Sequence, residues 1–131
     1  MERAKVNQGI DLSAYKDVWV LGEQREGKVQ PVTIELMGEG RKLADQLNKK
    51  LAVALPGYKI ETEAEKLLHY GADIVYCISH PLLSSFSTDG YTSAFVQLIR
   101  EKKPEIVLVG ATSIGRDIGP RIAARLGTGL T

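Results

Sequence analysis

The chain has 131 residues, of which 44% are hydrophobic and 25% charged, with a formal net charge of +1. That is the composition of one ordinary globular domain, and it supplies no electrostatic case for nucleic acid or an anionic membrane as partner. One cysteine, Cys77, excludes an internal disulfide framework and any multi-cysteine zinc or iron–sulfur site.

Met1 to Tyr15 shows little periodicity and reads as an N-terminal arm (1–15) ahead of a single α/β domain (16–131). Its start, MERAKVNQGIDL, has no apolar core behind the positive charge, so it does not read as a signal peptide. No apolar run approaches the roughly 20 residues that span a bilayer, and a cytoplasmic protein is the expectation. Asp17 to Gln24 (DVWVLGEQ) is the first strand, followed by a charged turn at Arg25-Glu26-Gly27-Lys28. From Pro31 the pattern becomes helical, with Val32, Leu36, Leu43 and Leu47 on the inward face and Pro31 in the first turn. Gly38 and Gly40 each cost about 1 kcal/mol relative to alanine in a helix, and close packing of helix on sheet is the expected return.

Lys50 to Leu55 (KLAVAL) reads as the second strand and Pro56-Gly57 as a turn. A helix follows over Glu61 to Tyr70, with Ala64, Leu67 and Leu68 inward and Gly71 at its C-terminal end. Asp73 to Ser79 (DIVYCIS) is the third strand, and His80 to Gly90 a loop long enough to suggest a surface role. Thr88 or Asp89 caps the next helix, Tyr91 to Lys102, whose inward residues are Ala94, Phe95, Leu98 and Ile99. Ile106 to Val109, between Pro104 and Gly110, reads as a fourth strand buried on both faces. Gly110-Ala111-Thr112-Ser113 turns the chain, and Ile118, Ile122 and Leu126 then mark one face of a last helix. Four strand–helix alternations with short connections imply an α/β fold: an open parallel sheet with right-handed crossovers and helices on both faces.

In such a sheet, ligands sit at the carboxyl ends of strands against helix N-termini. Gly110 to Asp117 is therefore the main candidate site, its free N–H groups facing an anion. The plainer account is that Asp117 complements the helix dipole and Arg116 pairs with a carboxylate. Pro120 is placed early in the last helix, where a missing N–H costs little. Arg121 and Arg125 form either a solvated basic edge or a subunit contact. His69 and His80 lie in no metal-ligand spacing, although His80 falls at the same sheet edge as Thr112. Cys77, inside an apolar strand, reads as a small buried hydrophobe, and Glu23 at the end of the first strand as a capping or interface residue. No GxGxxG follows the first strand and no Walker-type phosphate loop is present.

The stretch VGATSIGRDIGPRIAARLGTGLT (Val109 to Thr131) closely resembles the signature near the end of the first domain of the electron transfer flavoprotein alpha subunit. The likeness continues in VWVLGEQREGKVQPVTIELMGEGRKLADQL (Val18 to Leu47) and HYGADIVYCISHPLL (His69 to Leu83), and covers Leu12 to Thr131 with a looser patch at Ala54 to Glu65. It is strongest to anaerobic bacterial members. The resemblance implies a Rossmann-like domain of the adenine-nucleotide alpha hydrolase-like kind, ending before the FAD-binding domain. It implies an electron-carrier component, not an enzyme, with no catalytic residue or metal of its own. FAD would belong to the complete heterodimer and not to this chain alone. The implied partners are a beta subunit and an acyl-CoA dehydrogenase or similar dehydrogenase, as in fatty acid beta-oxidation. In bifurcating members, NADH and ferredoxin are engaged through the complex. Thr112, Gly115, Arg116 and Asp117 become the candidate contacts to a flavin held by the partner subunit. The alternative from a different class is a stand-alone nucleotide-binding α/β module or small enzyme. A sheet edge that the further strands usual in the family would cover is expected to be exposed and to make the chain prone to associate.

Overall fold

The computed structural model describes residues 14–128. The arm expected over 1–15 lies almost wholly outside them. Four parallel strands form the sheet: β1 (Val18–Leu21), β4 (Leu51–Gly57), β5 (Ile74–Ser79) and β6 (Ile106–Leu108), in the order β5-β4-β1-β6. Between β1 and β4 a two-stranded hairpin, β2 (Gln24–Arg25) and β3 (Lys28–Val29), precedes α1 (Pro31–Leu47). The other helices are α2 (Glu61–His69), α3 (Thr88–Lys102) and α4 (Ser113–Leu126).

The period-two alternation of β1 divides the core in two. Trp19 and Leu21, with Ala52 and Ala54 of β4, face Tyr91, Phe95 and Ile99 of α3 and Ile118 and Ile122 of α4. Val18 and Val20, with Leu51, Val53 and Leu55, face Met37 and Ala44 of α1 and Leu67 of α2. The architecture is thus an open parallel sheet with helices on both faces, as the alternation of elements implies.

Several local expectations change. The inward face of α1 is Thr33, Met37, Gly40 and Ala44, one residue past the larger aliphatics, and Leu47 is exposed. The reason is close approach: a Cβ on Gly40 would stand 2.8 Å from Leu51 Cδ1, so the small residues meet the sheet and Val32, Leu36 and Leu43 flank it. Gly38 has open space and no such role. Pro56-Gly57 is not a turn but the end of β4, paired with Ile78 and Ser79 of β5. A proline fits there because β1 ends opposite Ala54, leaving β4 without a neighbour on that side. In α2, Leu68 is exposed and Glu63 takes the inward position with Leu67.

The loop at His80 is shorter than its sequence suggests. Pro81–Leu83 forms a 3₁₀ turn, and α3 starts at Thr88 because Ser87, not Thr88 or Asp89, caps it, accepting from Gly90 N at 3.0 Å. Cys77 is exposed because β5 is an outer strand. Partial desolvation and then the Glu61 carboxylate push its thiol up, which disfavours the thiolate. Pro120 lies in mid-helix, since α4 already begins at Ser113, and Arg116 C=O therefore lacks its usual donor.

β6 is half-buried instead of sealed on both faces, because only β1 pairs with it among the described residues. With one edge of β5 and one of β6 unpaired among those residues, the chain is expected to associate as its concentration rises. Sedimentation velocity reads this, and a monodisperse monomer at high concentration would contradict it. A second prediction concerns Thr92 in α3, whose buried hydroxyl has no hydrogen-bond partner. Thr92→Val removes that orphan at equal shape and is expected to raise stability by about 1 kcal/mol in urea unfolding.

Candidate functional site

Strand order reverses between β1 and β6: the chain leaves β1 toward β4 and β5, then crosses back to β6. The connection after β1 leads to α1 on one face, and that after β6 leads to α4 on the other. A crevice opens between them at the carboxyl ends of the strands, where open α/β sheets bind ligands. It has a volume of about 560 Å³ and is lined by Glu23 to Glu26, Gln30, Ser84 to Phe86 and Thr112 to Ile114.

Its floor is the Glu23–Thr112 pair. Thr112 caps α4, its Oγ1 accepting from Gly115 N at 3.0 Å, and donates its own proton to Glu23 Oε2 at 2.7 Å. Glu23 is only 7% exposed, and its backbone is held by Thr33: the Glu23 N–H donates to Thr33 Oγ1 at 2.9 Å. Three elements thus fix one carboxylate at the N-terminus of α4, where the helix dipole favours negative charge.

One wall is held by Gln24. Its Nε2 donates to Tyr91 Oη at 2.8 Å and to the carbonyls of Leu83 and Ser84 at 3.2 Å each, while Oε1 accepts from Gly27 N at 2.9 Å. Tyr91 Oη in turn donates to Leu83 O at 3.0 Å, and burial pushes that phenol up, so it stays a donor. Phe86 packs edge-on against Tyr91, ring centroids 5.0 Å apart. The hairpin that carries Gln24 turns through Glu26 (φ 52°) and Gly27 (φ 80°), the positive-φ pair of a type I′ turn. Glu63 of α2 ties the hairpin down, Oε1 accepting from Val29 N at 2.8 Å and Oε2 pairing with Lys66 Nζ at 2.8 Å.

Hydrogen bonding from Lys66, and then from Val29 N–H, holds the Glu63 carboxyl below the usual range. A depressed folded-state pKa means the stabilisation is complete above the ordinary glutamate pKa, about 4.3, and is lost as pH falls through the folded value. The urea midpoint should therefore drop in acid, and Glu63→Gln should lower it at neutral pH while flattening the acid limb. Equal acid limbs in the two proteins would contradict this.

The four residues singled out in the sequence do not converge. Thr112 lines the crevice. Gly115 is buried behind it, against the carbonyl of Gly110. Arg116 is exposed on the far side, beside a shallow groove along β6 lined by Val107 to Gly110, Gly119 and Pro120, and forms no ion pair among the described residues. Asp117 joins α4 to α3, accepting from Thr88 Oγ1 at 2.6 Å and from Arg121 Nε at 3.2 Å. Those two bonds, Thr88 first, hold its carboxyl below the usual range. Arg125 donates to Ser93 Oγ at 3.1 Å, so the basic edge of α4 is partly engaged within the chain. His80 is exposed and caps the 3₁₀ turn, its Nδ1 accepting from Leu82 N at 3.1 Å, and it does not line the crevice. Gln24, Tyr91 and Thr33 were missed. Gln24 meets Tyr91 across 67 residues and Thr33 meets Glu23 across 10, beyond any local spacing.

A flavin dinucleotide is a poor fit to this crevice. Its phosphates would seek the start of α4, and there they would meet the Glu23 carboxylate. Among the described residues no three His, Cys, Asp or Glu side chains are grouped to hold a metal, and no helix is long and apolar enough to cross a membrane.

Comparison with known proteins adds identity to this geometry. The model of the electron transfer flavoprotein domain matches residues 18–131. The chain is 50% identical over 120 residues to the electron transfer flavoprotein subunit alpha of Thermoanaerobacterium thermosaccharolyticum, covering 92% of this chain and 36% of that protein. It is 50% identical over 121 residues to the acryloyl-CoA reductase electron transfer subunit beta of Anaerotignum propionicum, covering 92% and 33%. With the protein FixB of Clostridium saccharobutylicum the identity is 49% over 122 residues, covering 93% and 36%. The chain spans about a third of the length of these relatives. A domain match over nearly the whole chain, on a doubly wound parallel sheet, places this chain in the electron transfer flavoprotein family.

Proposed function

We propose that this chain serves as the N-terminal α/β domain of an alpha-type electron transfer flavoprotein subunit. In this reading it is a scaffold and a contact surface for a beta-type subunit, in a cytoplasmic, FAD-dependent carrier between a dehydrogenase and another redox partner. The observation that carries the reading is the domain match over residues 18–131, joined to relatives named as electron transfer subunits. FAD supplies the redox chemistry when bound; this chain's residues supply shape and position. The Glu23 carboxylate at the start of α4 supports holding FAD elsewhere in the heterodimer.

An acyl-CoA-linked dehydrogenase is the favoured electron partner, as in fatty acid beta-oxidation, because one relative's name carries acryloyl-CoA reductase. The likeness to clostridial proteins extends the reading to electron bifurcation, with NADH oxidised and ferredoxin reduced through the complex. Thr112, which lines the crevice, and Arg116, exposed beside the β6 groove, are the two of the four candidate residues whose position supports a contact to a flavin held by the partner subunit.

The test is co-purification of this chain with a beta-type subunit, with and without added FAD. A stoichiometric complex that retains flavin, while the chain alone retains none, supports the proposal. Failure to associate under both conditions would refute the interface role. NADH-driven ferredoxin reduction by the assembled complex, dependent on a second acceptor, tests bifurcation separately.

A further inference from the structure

The crevice contains an unfinished interaction. Glu23 is held from three sides: its N–H on Thr33 Oγ1, its carbonyl on Gln30 N at 2.9 Å, and its Oε2 on the Thr112 hydroxyl. Its second oxygen, Oε1, accepts no hydrogen bond from any described residue. Glu23 lines the crevice, and its Oε1 is not among the fully buried orphan atoms of the described residues, of which Thr92 Oγ1 is one. A carboxylate only 7% exposed keeps little of its hydration, so a donor that reaches its second oxygen meets a partly desolvated acceptor. A cation offsets that lost hydration more than a neutral donor does.

The surroundings select the same chemistry. The N-terminus of α4 already has its anion, so the crevice does not call for another. Half-buried Phe86 and Ile114 form an apolar wall, and an aromatic face attracts a cation lying against it. Arg25 lines the same crevice but forms no ion pair among the described residues.

We infer that this crevice is a socket for a basic side chain of a protein partner, a guanidinium that donates to Glu23 Oε1 and lies against Phe86. Arginine suits it better than lysine because the planar guanidinium can hydrogen-bond and stack together. The choice of a protein as source rests on the proposed subunit-contact role, whereas the socket's chemistry can be tested without any subunit.

The experiment is an NMR titration of the isotope-labelled chain with N-acetyl-argininamide, N-acetyl-lysinamide and the neutral isostere N-acetyl-citrullinamide. Saturable shifts at Glu23, Phe86, Thr112 and Ile114 are expected with the arginine probe, weaker ones with lysine, and none with citrulline. Glu23→Gln, which keeps an oxygen for Thr112, should weaken arginine binding by about tenfold or more while leaving the unfolding midpoint near that of the parent. No shifts with arginine, equal shifts with citrulline, or binding indifferent to Glu23→Gln would overturn the inference. Binding that appears only in Arg25→Gln would assign the socket to the chain's own Arg25 and overturn the partner. None of these failures bears on co-purification with a beta-type subunit.

Discussion

Gly115→Ala is expected to unfold the chain or to cost about 3 kcal/mol or more in a urea titration. A Cβ at this position would overlap the Gly110 carbonyl oxygen, with Gly110 C at 2.9 Å and Val109 Cγ1 at 3.1 Å. The obstacle is backbone, which cannot swing aside as a side chain can. Relief requires α4 to move away from the end of β6, and that would pull Thr112 off Glu23 and open the crevice floor. Two other glycines serve as controls. A Cβ on Gly119, one turn on, meets only Val109 Cγ1 at an ordinary 3.8 Å, so Gly119→Ala should fold. Gly38 has nothing within 4 Å, and Gly38→Ala should gain about 0.5–1 kcal/mol from helix propensity alone. If the three substitutions had equal effects, close approach would not be what the first glycine provides.

Gln24→Leu should be the next largest, at about 2–3 kcal/mol. The change keeps the volume but strands the Gly27 N–H and takes a donor from Tyr91 Oη and from the carbonyls of Leu83 and Ser84. Because the lost bonds join the hairpin to the 3₁₀ turn, amide exchange at Gly27 should quicken beyond what global unfolding explains. Tyr91→Phe alone should cost less, since Gln24 still reaches Leu83 O. Together the two changes should cost less than their sum, as expected for residues that share one network. Strict additivity would mean that the network is not cooperative.

The local elements were legible for local reasons. Pro31 at the start of α1, the Ile118, Ile122 and Leu126 face of α4, and Gly71 after α2 each express a rule that acts within about one helical turn. Errors came where a neighbour decides. The aliphatic period of α1 pointed one residue away from the true contact, because Gly40 allows an approach that larger side chains forbid. Cys77 lies in a strand as apolar as β1 yet is exposed, since nothing in DIVYCIS says whether the strand is central or outer.

The sequence by itself determined the α/β class, the succession of the four sheet strands and the helices, and, through its motifs, the family, but not the β2–β3 hairpin. Each of these is written in contiguous residues, as periodicity, caps or a shared word. The tertiary structure alone decided that β1 is central and β5 outer, that Thr112 parts from Arg116 and Asp117, and that Glu23 meets Thr112 at the floor of a crevice. The Glu23–Thr112 bond spans 89 residues and exists only because the strand order reverses between β1 and β6. Local rules do not reach that far; the packing of the sheet does.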